Sequence, residues 1–170
     1  REAFPCPSQK VVATCIKRES SFFVGHYTHL WNTNLIRGLF NDIEGKIRKP
    51  SPEHKLTIYS DGNDDYTTVL AERYAPESVN YGQKIKSQHG KKIYPAIKRV
   101  VFEKLESADI DTNVVESINS VLREKVSRLA RKTKKISKKK YPLDGAIRIF
   151  KFAWNFIHKR HEHKLTPAMM

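Results

Sequence analysis

A chain of 170 residues with 39% hydrophobic and 10% aromatic content is long enough to bury one core, and it reads as a single globular domain. No apolar run approaches the roughly 20 residues that a membrane span needs, and the N-terminus does not read as a secretory signal. The net charge of +14 is unevenly placed: residues 1–90 carry twelve bases and ten acids, residues 91–170 twenty bases and eight acids. That asymmetry favours a polyanionic partner, nucleic acid first, over a merely solvated basic face.

Cys6 and Cys15 form neither a C-x-x-C pair nor a disulfide framework, which points to reduced thiols in an intracellular protein. The chain starts with Arg1 rather than Met, so a processed, recombinant or incomplete product is expected. Pro5 and Pro7 mark a turn in the polar first ten residues. Val11–Lys17 reads as a buried strand, Arg18–Ser21 as a turn and Phe22–Thr28 as the returning strand of a hairpin. Asn32 or Thr33 can cap a helix from Asn34 to about Lys46, which carries Leu35, Leu39, Ile43 and Ile47 on one side. Leu56–Ser60 is a short strand that stops at Asp61-Gly62-Asn63. Thr67–Tyr74 follows as a helix with Asp64 and Asp65 as its caps.

Val79–Lys86 and Ile97–Phe102 read as strands separated by a loop, SQHGKK. The acidic connector Glu106–Asp111 leads to a helix that Asp111 or Thr112 can cap. On that helix Val114 or Val115, Ile118, Val121 or Leu122, and Leu129 form an apolar stripe. Glu116, Asn119, Ser120 and Arg123 fall at i, i+3, i+4 and i+7 on another face. The helix is expected to run on into a segment, Arg123 to Lys140, with ten Lys or Arg and one acid, Glu124. Beyond Pro142 a last helix, Leu143 to about Lys159, has a broad apolar side: Leu143, Ile147, Phe150, Trp154 and Ile157, widened by Ala146, Ile149, Ala153 and Phe156. It is expected to pack deeply across a sheet. This order predicts an α/β sandwich around a mixed sheet.

Two carboxylates stand out. Asp61 sits at the C-terminal end of an apolar strand before a Gly, where a rigid element can present it; it can equally serve as a turn former. Glu116 lies in the first turn of a helix, where the dipole alone favours an acid. Together, a strand-end acid and a helix-start acid suit Mg²⁺, which takes few protein carboxylates and keeps room for water and phosphate oxygens. In two-metal sites the ions lie roughly 3.5–4 Å apart. His26 and His29, three apart on a strand, point to opposite faces and make a poor metal pair. His158, His161 and His163 favour a structural or DNA-facing role over zinc. The basic run exceeds what a helix C-terminus needs and suggests a surface that follows phosphates.

The segments YSDGNDDY, KRVVFEKLESADIDT, DTNVVESINSVLR, RLARKTKKISKK and FAWNFIHKRHEHKLTPAMM, in that order, resemble the catalytic region of DDE-type insertion-sequence transposases. The nearest branch is that of the first-described bacterial insertion sequence. The resemblance covers most of the chain from about Val11. It implies a ribonuclease-H-like fold (a mixed sheet with helices on both faces), Mg²⁺- or Mn²⁺-dependent cleavage at transposon ends, and attack by a freed 3′-hydroxyl on target DNA. By position, Asp61 matches the second acid of the triad and Glu116 the third, both as metal ligands. Asn119 matches the Asn one helical turn later, and Arg128, Arg131, Lys132 and Ser137 match the basic patch. Trp154, Asn155, Thr166, Pro167 and Ala168 match the C-terminal signature. DNA contacts are accordingly expected from Asn119, Arg123, Arg128, Arg131, Lys132, Lys135 and Lys138. The implied partners are double-stranded DNA ends and target, engaged by a homodimer or larger assembly in the cytoplasm at the nucleoid.

The first triad Asp belongs on a strand before Val11–Lys17, where the sequence offers only Arg1 and Glu2, and an upstream end-binding segment is not visible. An incomplete or decayed copy is therefore expected. Two competing expectations stand beside an active transposase: a catalytically inactive, DNA-binding remnant, and a basic RNA-associated structural protein whose carboxylates are helix caps.

Overall fold

The computed structural model describes residues 10–86, 88, 89, 92–102, 105–129, 140–160 and 164–170. Among the described residues it is a mixed α/β structure whose strands form three sheets: β1–β2 (Lys10–Ile16 and Phe23–Leu30), β3–β4–β7 (Leu56–Asp61, Val79–Ile85 and Ile97–Phe102), and β5–β6 (Gln88–His89 and Lys92–Ile93). The chain divides into two compact units, one containing Ile47–Thr112 and the other Cys6–Lys46 with Asn113–Met170. Among the described residues no helix is long and apolar enough to cross a membrane.

The expected hairpin is present. β1 and β2 pair antiparallel, and the loop closes through Lys17 N–H donating to the Phe22 carbonyl at 2.8 Å. Cys15 pairs with Gly25 but Ile16 with Phe23, so Val24 is an extra residue in β2. Such a bulge shifts the alternation of side chains by one. It brings Phe23 and His26, three apart, together, their rings edge to face at 6.2 Å. Phe23 packs with Ile118 and Leu122 of α3 (Asn113–Lys125), with Val126, and with Leu143, Ile147 and Phe150 of α4 (Lys140–Phe152). Val12 and Ile16 cover this cluster from β1. The opposite face meets α1 (Thr33–Glu44): Gly25 lies against Asp42 and Ile43, and Gly38 against the Tyr27 ring. The hairpin is thus the middle layer between α1 and α3 with α4. Asn32 caps α1, its Oδ1 accepting from Asn34 N–H at 3.1 Å.

Three expectations for the C-terminal helices need correction. α3 stops at Lys125 instead of running into the basic segment. Val126 is buried against the core, and a single tight turn, Ser127–Leu129, follows. α4 begins at Lys140, with Pro142 inside its first turn, where a missing N–H costs nothing. Its buried stripe is also narrower than expected. Leu143, Ile147 and Phe150 are buried, but Ile149 is 73% exposed, and Phe156 and Ile157 face solvent. After Phe152 the helix widens into a π turn, Ala153–Ile157, with His158 N–H donating to the Ala153 carbonyl at 2.8 Å.

In the other unit β3 pairs parallel with β4, and β7 pairs antiparallel on the far side of β4. The crossover from β3 to β4 carries α2 (Asp64–Arg73), whose Val69 and Leu70 are buried. Its cap is Asn63, whose Oδ1 accepts from Asp65 N–H at 2.9 Å, so Asp64 and Asp65 are first-turn acids and not caps. On the other face of the sheet a Cβ at Gly82 would lie 2.7 Å from the Ile110 side chain, so the connector before α3 rests directly on the β4 backbone. The expected SQHGKK loop contains the two-residue strand β5 and Lys92, the first residue of its partner β6.

Candidate functional site

The alternation along β3 turns Ser60 inward and Asp61 outward. Ser60 is buried, with its Oγ 2.8 Å from the Tyr81 hydroxyl. Burial raises the pKa of that hydroxyl. Asp61 is exposed at the C-terminal end of a parallel strand, beside the start of a β–α crossover. That edge is where α/β sheets hold their ligands. The turn role also operates, since Asp61 Oδ1 accepts from Asn63 N–H at 3.3 Å. Gln83 secures this turn from the α2 side: its Nε2 donates to the Asn63 carbonyl at 3.3 Å.

The register sets Asp61 opposite Lys84, whose largely buried ammonium donates to Asp111 Oδ1 at 2.8 Å. Lys84 and Asp111 therefore gather beside Asp61 at one end of the sheet. The sequence does not single out Lys84, and it offers Asp111 only as one of two possible helix caps, with Thr112. The parallel register of β3 and β4 is what joins them, and no local spacing encodes it.

On α3, Ile118 and Leu122 are buried while Glu116, Ser120 and Arg123 are exposed, as their spacing predicts. Asn119 is half-buried and its Oδ1 accepts from the Thr14 hydroxyl at 2.9 Å, so it ties α3 to β1. Arg128 is exposed in the tight turn after α3. Arg131, Lys132, Lys135, Ser137 and Lys138 lie outside the described residues, as do His161 and His163. Glu116 belongs to the hairpin unit and Asp61 to the other.

Trp154 and Asn155 fasten the π turn after α4 to the hairpin. Trp154 Nε1 donates to the Ser21 carbonyl at 2.9 Å. The buried Asn155 side chain bridges both backbone groups of Phe23, accepting from its N–H at 2.8 Å and donating to its carbonyl at 3.0 Å. The Asn155 backbone carbonyl accepts from Ala168 N–H at 3.0 Å, and Thr166 and Pro167 are buried. His158 stacks on Trp154, ring centres 4.7 Å apart. Among the described residues no group of three or more His, Cys, Asp or Glu side chains is arranged to hold a metal ion. The chain matches no family model, no curated protein and no solved structure.

Proposed function

We propose that residues 1–170 are the catalytic domain of a DDE-type transposase with a ribonuclease-H-like fold, acting on DNA in the cytoplasm at the nucleoid. The reaction is Mg²⁺- or Mn²⁺-dependent phosphoryl transfer: strand cleavage at insertion-sequence ends, then attack of the freed 3′-hydroxyl on target DNA. The observation that carries this reading is the exposed carboxylate of Asp61 at the C-terminal end of a parallel strand. Glu116, exposed on the first turn of α3, supplies the second carboxylate. Both are hard oxygen donors open to solvent, a donor set that suits Mg²⁺ and leaves positions for water and phosphate. Held by these carboxylates, the metal would supply activation of the attacking oxygen and stabilisation of the leaving one.

Arg123 and Arg128 are exposed beyond Glu116 and neutralise backbone phosphates; Arg131, Lys132, Lys135 and Lys138, which follow in the sequence, are proposed to share that role. A third acid requires a further strand, and such a strand needs a sheet edge. Among the described residues β1 pairs only with β2, and β3 only with β4, so each presents one unpaired edge.

The test is Mg²⁺-dependent nicking of supercoiled plasmid by the full protein. Asp61→Asn or Glu116→Gln lowers the rate by roughly 10²-fold or more while DNA affinity holds. Unchanged nicking in either variant contradicts the assignment. The second reading is a DNA-binding remnant without catalysis. It predicts salt-dependent DNA binding and no metal-dependent nicking by the unaltered chain.

A further inference from the structure

The edge of β2 away from β1 opens into a cleft of about 590 Å³ between α1 and α4. One stripe of α4 lines it: Lys140, Asp144, Arg148 and Lys151, spaced so that all four share a helix face. Asp42 of α1 faces them and is already matched, since its Oδ2 accepts from Lys46 Nζ at 2.8 Å and from His26 N–H at 3.1 Å. Three cations of the α4 stripe then stand against one carboxylate, Asp144. The excess is felt inside the cleft. Burial and then Lys151 hold His26 down at about 4, against the pull of Asp144 and Asp42. Burial and then Lys46 lower Lys151, with Arg148 acting in the same sense.

The cleft also holds buried polar atoms without partners among the described residues: His26 Nδ1, Thr28 Oγ1 and Asp144 Oδ1. Such groups cost roughly 1–3 kcal/mol each unless a ligand or water satisfies them. His26 is 8% exposed. Its Nε2 lies 4.0 Å from Asp144 Oδ1, which favours the proton on Nε2 and leaves Nδ1 to accept a hydrogen bond. Lys140 is fixed at the mouth, its ammonium 4.2 Å from the centre of the Tyr27 ring. A bare phosphate is too small for this volume, which falls in the usual range for small-molecule sites.

We infer that the cleft binds the phosphomonoester of a nucleotide, with Arg148 and Lys151 on the phosphate, the Thr28 hydroxyl donating to it, and His26 Nδ1 accepting from a ligand hydroxyl. The nucleotide is either free or the phosphorylated end of a strand. This site stands independently of the transposase reading.

The full chain is titrated with 2′-deoxyadenosine 5′-monophosphate, inorganic phosphate and deoxyadenosine, while NMR follows the His26 ring and the Arg148 and Lys151 side chains. The nucleotide produces saturable shifts at these groups, inorganic phosphate weaker ones and deoxyadenosine none. Replacing both Arg148→Gln and Lys151→Gln weakens nucleotide binding about tenfold or more, the scale of losing one charge-assisted hydrogen bond. The charge-matched pair Lys17→Gln and Lys159→Gln leaves it unchanged. Thr28→Val, which keeps shape, weakens it too and serves if the double variant does not fold. A 5′-phosphorylated hexadeoxynucleotide binding more tightly than the mononucleotide assigns the site to strand ends; equal affinity assigns it to free nucleotide. Binding of deoxyadenosine as tight as that of the nucleotide overturns the inference. So does a lack of saturable nucleotide binding, or affinity unaffected by the α4 substitutions.

Discussion

Asn155 does from the far end of the chain what a neighbouring strand would do for β2: its side chain satisfies both backbone groups of Phe23 in a buried site. Asn155→Ala leaves a buried N–H and carbonyl unpaired, and the expected loss is about 3 kcal/mol, read from the urea midpoint. A loss below about 1 kcal/mol means the two bonds do not hold the hairpin. His26 adds a pH dependence. Its folded value of about 4 lies below the ordinary 6.5, so between those values the unfolded chain binds more protons. The contribution is complete above pH 6.5 and disappears as pH falls towards 4, amounting to about 3 kcal/mol. Lys151, Asp144, Asp42 and Arg148 are the charges that act on it. His26→Gln flattens the stability profile in that window; an unchanged slope contradicts the burial of a neutral imidazole. Cys15, free and pushed up to about 11 by burial, is a thiol of low reactivity in the folded chain.

At the level of elements, two helical glycines have opposite expected effects. A Cβ at Gly38 would run into the Tyr27 ring, whereas at Gly145 it meets nothing within 4 Å. Gly145→Ala in α4 therefore stabilises by about 0.5–1 kcal/mol. Gly38→Ala destabilises despite the same gain in helix propensity, because α1 must move off β2. Thermal melts of the two variants shifting in the same direction contradict the close packing of α1. Periodicity made most elements legible: the hairpin, α1, β3, β4, β7 and the exposed face of α3 follow from alternation or helical spacing. What escaped has a physical cause in each case. The Val24 bulge breaks the period of two. The buried Val126 ends α3 through tertiary packing. The β3–β4 register joins Asp61 to Lys84, and the cleft joins His26, Asp42 and Asp144 across more than a hundred residues. A single sequence carries no register between distant segments.

For the whole molecule, the basic second half is expected to govern DNA affinity through counterion release. Each phosphate contact removed, as in Arg123→Gln or Arg128→Gln, reduces the slope of log affinity against log salt by about 0.9. An unchanged slope in both excludes them from the DNA surface. We propose that Asp61 and Glu116 hold one metal centre in the working protein. Mn²⁺, added to the full chain bound to duplex DNA, tests this through the paramagnetic broadening of amide NMR signals. Gly62 and Ser117 are expected to broaden together at the same Mn²⁺ concentration, and Asp61→Asn alone to abolish both effects. Broadening at only one of them, or persistence at Ser117 in Asp61→Asn, would contradict the proposal.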